Sequence, residues 1–127
     1  MSSRYSGRLP RTYAQAEKML KGRSRRKVLN NTDLMQSARD GGSIVVLYHG
    51  NVIAQFFEDG CMVLTNCGYG TTSTRERLNA MAPAGVGFVQ RDHAQQVHVR
   101  DATNGEGRVR VIDGGTVRID SDGRVSA

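Results

Sequence analysis

The sequence predicts an α+β fold, mostly antiparallel β-sheet, with two short helices and a basic N-terminal arm. Three observations carry that expectation. Asp-Gly pairs recur at Asp40-Gly41, Asp59-Gly60, Asp113-Gly114 and Asp122-Gly123, and each separates stretches of strand character, as turns that need positive φ do. Short runs alternate valine or isoleucine with polar residues, the period of a sheet with one wet face. Two other segments repeat apolar residues at helical spacing behind a hydroxyl cap.

The elements follow in order. Residues 1–9 carry no pattern. Thr12-Tyr13-Ala14-Gln15 has the spacing of a capping box, Tyr13, Ala16 and Leu20 form one apolar stripe with Met19 beside it, and Gly22 is a natural stop. A helix over 12–21 results. Arg23-Ser24-Arg25-Arg26-Lys27 then reads as a basic link into the body. Strands near 32–39, 43–49, 52–57 and 61–66 form a meander. A second helix is expected over 74–82, with Ser73 and Glu76 as its capping box, Leu78, Met81 and Ala82 as its buried stripe, and Pro83 limiting its end. Further strands are expected near 86–91, 95–100, 108–112, 116–120 and 123–126. The chain divides on this reading into an arm, 1–27, and one β-rich domain, 28–127.

Charge sharpens the division. The 127 residues carry a net +6, but residues 1–27 hold nine Lys or Arg against Glu17 alone, a net +8. The remainder holds nine Arg against eleven Asp or Glu, a net −2. A basic arm on a near-neutral body is one way nucleic-acid binders gain salt-sensitive affinity; a solvated tail has the same composition. Within the body, Val97-His98-Val99-Arg100, Arg108-Val109-Arg110-Val111 and Val117-Arg118-Ile119-Asp120 turn their apolar residues one way. His98, Arg100, Arg108, Arg110 and Arg118 are thereby expected on a shared polar sheet face, either solvated or used for binding.

Several chemistries find little support. The longest apolar run, Ile44 to Tyr48, is far shorter than the ~20 residues of a membrane helix, and because Met1-Ser2-Ser3-Arg4 runs into no apolar stretch of signal-peptide type, export is not expected. A cytoplasmic location is expected, with no membrane contact and no cofactor. Cys61 and Cys67 bound one strand-like segment and stand too far apart in that conformation for a disulfide. Their spacing fits no usual zinc pair, so both are expected reduced, with at least one buried. His49 and Asp92-His93 read as turn residues. A Cys61–His49 nucleophile and base is conceivable across neighbouring strands, but no third group orients it. No enzyme is expected.

The densest signal is the run from Asn66 to Asn79, where a strand enters a glycine-bearing loop, a row of hydroxyls and a helix with Arg75 and Arg77 in its first turns. Backbone N–H groups at a helix start attract anions, and hydroxyls and arginines there add charge-assisted bonds. Turn chemistry with an N-cap explains the same residues without a ligand. On the binding reading, Arg23, Arg25, Arg26 and Lys27 supply the arm's contacts, while Tyr69, Thr71, Thr74, Arg75 and Arg77 make the nearer ones, with Tyr69 as a stacking platform.

Asn30-Asn31-Thr32, His49, Asp59-Gly60 and Gly68-Tyr69-x-Thr71-x-Ser73-Thr74-Arg75-x-Arg77-Leu78-Asn79, followed by Pro83, together resemble a family of small bacteriophage proteins. The match runs from about residue 25 to residue 83, with Tyr69 where that family usually has Trp. The resemblance implies a phage or prophage origin and transfers no site. The expectation is therefore a phage-encoded binding protein for nucleic acid or a phosphate-bearing nucleotide, acting in the host bacterial cytoplasm. Two alternatives stand beside it. One is a factor for host takeover or counter-defence that binds and inhibits a host or defence protein through the Tyr13, Ala16, Leu20 stripe. The other is a virion component whose arm and exposed strand edges join copies into a homo-oligomer.

Overall fold

A computed structural model of the chain describes residues 5–37, 42–100 and 109–127. The expected contributions of Arg4, of residues 38–39, of the Asp40-Gly41 turn and of Arg108 lie outside the described residues. Among the described residues the chain is α+β, with two helices and two antiparallel sheets. The larger sheet has seven strands in the order β1 (Arg25–Leu29), β2 (Thr32–Ser37), β3 (Ser43–Tyr48), β4 (Asn51–Phe57), β5 (Met62–Thr65), β9 (Thr116–Ile119) and β10 (Val125–Ser126). The smaller has three, β6 (Val86–Arg91), β7 (Ala94–Arg100) and β8 (Val109–Asp113).

The register of the large sheet explains where its core lies. Leu34 pairs with Val46, Val46 with Ala54, Ala54 with Leu64 and Leu64 with Val117, so one row of apolar side chains crosses five strands. Ile44, Phe56, Met62 and Ile119 form the next row on the same face. Both helices contribute to the cluster those rows create: Ala16 and Leu20 from α1 (Tyr13–Leu20), and Leu78, Ala80 and Met81 from α2 (Thr72–Met81). The small sheet adds Phe88, Val97 and Val99.

The N-terminal segment is woven into this fold from Tyr5 onward. Leu9 is buried in the same cluster, and the expected break between residues 27 and 28 falls inside β1. The Tyr13, Ala16, Leu20 stripe packs on the protein's own sheet, with Ala16 and Leu20 buried and Tyr13 partly buried. Sequence patterning missed β1 because three of its five residues are Arg or Lys. The strand takes the edge of the sheet, where charge is tolerated and discourages further pairing. Arg26 turns toward α1 and donates to the Met19 carbonyl at 2.6 Å, placing a cation on that helix's last turn. Arg25 turns away and pairs with Asp33 at 2.7 Å.

The caps come out differently at the two helices. Thr12 caps α1 and accepts from the Gln15 N–H at 3.1 Å, while the Gln15 side chain reaches back to the Arg11 N–H. At α2 the cap is Thr71, two residues before the expected Ser73, and its hydroxyl accepts from the Thr74 N–H. Ser73 instead accepts a hydrogen bond from the Tyr48 hydroxyl at 2.9 Å.

The expected shared polar face does not form. Arg118 lies on β9 in the large sheet, whereas His98, Arg100 and Arg110 belong to the small one. Within the small sheet β8 is turned over relative to expectation. Arg110 pairs with Val99 and Ile112 with Val97, so Arg110 shares the inward face and donates to the Val125 carbonyl at 2.8 Å. Val109 and Val111 share the outward face with Arg100 and His98. Alternation along a strand states that two faces exist, and the packing of Ile112 against the core decides which is inside. The Asp113-Gly114-Gly115 turn likewise carries the chain from one sheet to the other, where a hairpin was expected.

Candidate functional site

Nine residues stand out in the sequence for phosphate or nucleic-acid contact, and the fold separates them into distinct roles. Arg75 is partly exposed and engaged by the protein's own groups. Its guanidinium donates to the Gly70 carbonyl and the Gln90 side chain, both at 2.9 Å, and to Gln95 and the Thr72 hydroxyl. Those bonds tie the start of α2 to the small sheet. Thr71 and Thr74 bond each other at 2.8 Å as part of the cap, and Thr74 is buried. Tyr69 is exposed and lies beside Gly70, whose backbone packs so closely on Gln95 that an added Cβ would meet its side chain at 2.7 Å.

Arg23 is exposed, with its backbone N–H closing the turn after α1 onto Leu20. Arg25 and Arg26 are held by Asp33 and Met19 as described above. The glycine–hydroxyl–arginine segment thus follows its cap-and-turn reading at most positions.

Arg77 is different. It is only 3% exposed, yet it borders a surface recess of about 460 Å³. Its Nε donates to the Thr32 hydroxyl at 2.9 Å, Nη1 to the Ser73 carbonyl at 3.0 Å and Nη2 to the Asn30 carbonyl at 3.1 Å. The Tyr48 and Tyr5 rings lie 4.0 and 4.7 Å from its guanidinium carbon, close enough for both π faces to stabilise the buried cation. A guanidinium has five N–H donors, so these three bonds leave two.

Two further cations open onto the same recess. Arg8 comes from the N-terminal segment and Lys27 from β1, and Tyr5, Val28, Leu29 and Asn30 complete the wall. Among the described residues the lining contains no carboxylate. Arg8 and Lys27 are exposed, so they are free to move onto a ligand while Arg77 is pre-positioned. Sequence reasoning found Lys27 and Arg77 but missed Arg8 and Tyr5, because nothing local in residues 1–9 shows that this segment folds back over α2.

A larger groove of about 730 Å³ runs between the sheets and holds Arg11, Arg100, Arg110 and Arg124. Its lining also contains Asp120 and Asp122, which lower its positive potential. Asp122 accepts from the Arg124 N–H at 3.0 Å, and Asp120 pairs with Arg118 at 3.3 Å.

The remaining chemistry-bearing residues do not assemble. His49 sits at positive φ in the β3–β4 turn and His93 in the β6–β7 turn, as expected of turn residues. Cys61 lies at the other end of β4 from His49, roughly 20 Å away at ~3.3 Å per residue, so they form no nucleophile–base pair. Both cysteines are free. Contrary to expectation neither is buried, Cys61 being partly exposed and Cys67 exposed. Cys67 donates to the Val52 carbonyl, and local desolvation pushes its thiol above the usual range. Among the described residues no group of three or more His, Cys, Asp or Glu is placed to hold a metal ion. No helix among them is long and apolar enough to cross a membrane.

The family model of the Kyanoviridae Gp96 protein matches residues 10–116, and the chain belongs to that family of cyanophage proteins. The phage resemblance carried by residues 25–83 thus extends over most of the chain. No curated protein and no solved structure matches it.

Proposed function

We propose that this phage protein is a non-enzymatic binder of a phosphate-bearing ligand, nucleic acid or nucleotide, and that the ligand sits in the recess walled by Arg8, Lys27 and Arg77. One observation carries the reading: three cations from three separate segments converge on a single cavity whose described lining has no carboxylate. A phosphate entering it gains charge-assisted hydrogen bonds from a guanidinium whose burial and anchoring are already provided by folding. Arg8 and Lys27 supply the salt-sensitive part of the attraction, and the Tyr5 ring beside them is a surface on which a base stacks.

Deletion of residues 1–27 does not test this, because it removes α1 and most of β1 along with the charge. Point substitutions do. The Arg8→Ser, Lys27→Ser double variant is expected to fold normally, since both side chains are exposed. It should bind a fluorescent single-stranded oligonucleotide roughly tenfold more weakly, or worse, at low salt. The slope of log affinity against log salt should fall by about 0.7 for each phosphate that the variant no longer neutralises. Arg124→Ser, in the other groove, should leave both quantities unchanged. Equal affinity and equal slope in wild type and the double variant would remove the recess from the account.

A further inference from the structure

The two edges of the small sheet are treated unequally. At β6 the Asn79 side chain accepts from the Phe88 N–H at 2.7 Å and donates to the Phe88 carbonyl at 3.0 Å. These are the two bonds that a residue of a neighbouring strand would make, so a carboxamide closes this edge. β8, at the opposite edge, pairs with β7 on one side, and no described strand lies on the other. It is five residues long, contains neither Pro nor Gly, and exposes Val109 and Val111 at 48% and 49%. The outer edges of the large sheet are guarded, β1 by its basic residues and a bulge and β10 by its two-residue length. Among the described residues nothing pairs with this outer edge, and an edge that exposes two valines is a template for another strand.

We propose that β8 is the surface through which a second copy of this chain pairs, the two strands running antiparallel about a two-fold axis at Val111 and joining two three-stranded sheets into one of six strands. Register and charge favour a second copy over a foreign strand. With the axis at Val111, Val111 faces its counterpart, Val109 faces Asp113 of the second copy and Arg110 faces Ile112 of the second copy. No like charges stand directly opposite each other, and every pair keeps its face of the sheet. Moving the axis to Arg110 sets two guanidinium groups opposite each other. Moving it to Ile112 sets Arg110 and Val109 against Gly114 and Gly115 of the turn. One register therefore satisfies the strand's own sequence, as an isologous contact requires.

Cysteine trapping reads this register directly. In a Cys61→Ser, Cys67→Ser background, Val111→Cys should form an intermolecular disulfide under mild oxidation. Residues facing across the axis have Cα atoms about 4.5–5.5 Å apart, within the span a disulfide accepts. Val109→Cys in the same background should not, because its two copies lie four residues apart along the strand, roughly 14 Å. Sedimentation of the intact wild-type chain should show a dimer. Val111→Lys should weaken self-association at least tenfold with an unchanged circular dichroism spectrum, and Val52→Lys, at another exposed valine, should not. A wild-type chain that stays monomeric at high concentration, or equal trapping at positions 109 and 111, overturns the proposal.

Discussion

Arg77→Ala is expected to lower unfolding stability by about 3 kcal/mol and the melting temperature by about 10 °C. The guanidinium closes a small network: Nε donates to the Thr32 hydroxyl, that hydroxyl donates to the Asn30 carbonyl at 2.8 Å, and Nη2 donates to the same carbonyl. Nη1 adds the Ser73 carbonyl, linking the β1–β2 turn to α2 through one side chain. Hydrogen bonds from a charged donor contribute about 1.5–3 kcal/mol each, and the desolvation of the cation offsets part of their sum. Truncation also empties the space between Tyr5 and Tyr48. Arg77→Lys keeps the charge but loses the planar fork, and should recover less than half of the loss. Urea unfolding of the three proteins measures this. A cost below about 1 kcal/mol for Arg77→Ala would mean that the network does not hold these segments together.

Gly115→Ala is the second large effect, with an expected loss of about 2–3 kcal/mol. The position is not at positive φ, so the penalty is steric. A Cβ there would lie 2.0 Å from Nδ2 and 2.3 Å from Cγ of Asn66. Asn66 cannot simply withdraw. It is nine-tenths buried, its Oδ1 accepts from the Gly68 N–H at 2.9 Å, and its backbone bonds Gly115 and Tyr69. Shifting it loosens the turn that feeds the α2 cap. Asn66→Ala vacates the contested space, so the double variant should be more stable than the sum of the single losses predicts. A coupling of at least about 1 kcal/mol is expected in that cycle, and strict additivity would show that the two residues do not compete.

These two sites mark how far the sequence was readable. Strands whose alternation has one buried face were legible within a residue or two, as β6 and β9 show. The cap of α2 was misplaced by two residues because Thr71, Thr72, Ser73 and Thr74 are all competent hydroxyls, and the tertiary bond from Tyr48 decides among them. β1 was hidden by its charge, and the face of β8 by the symmetry of an alternating pattern. The cationic recess was half legible. Lys27 and Arg77 stood out by composition and motif, but a basic run does not say which of its members converge. That information resides in the packing of Tyr5 and Arg8 with residues twenty to seventy positions away. Arg75 and Arg77, alike in sequence, are separated by their places around the helix into a clamp on the small sheet and a wall of the recess.

The most direct test of phosphate binding in the recess is a two-dimensional 15N–1H NMR titration of the unmodified protein, including the arginine Nε–H signals, with inorganic phosphate and then with a short single-stranded oligonucleotide. Progressive shifts are expected at the Arg77 and Arg8 Nε–H groups and at the amides of Tyr5, Lys27, Val28 and Asn30, with the same residues responding to both ligands. Shifts centred instead on Arg11, Arg100, Arg110 and Arg124, or none at millimolar phosphate and saturating oligonucleotide, would contradict binding in the recess.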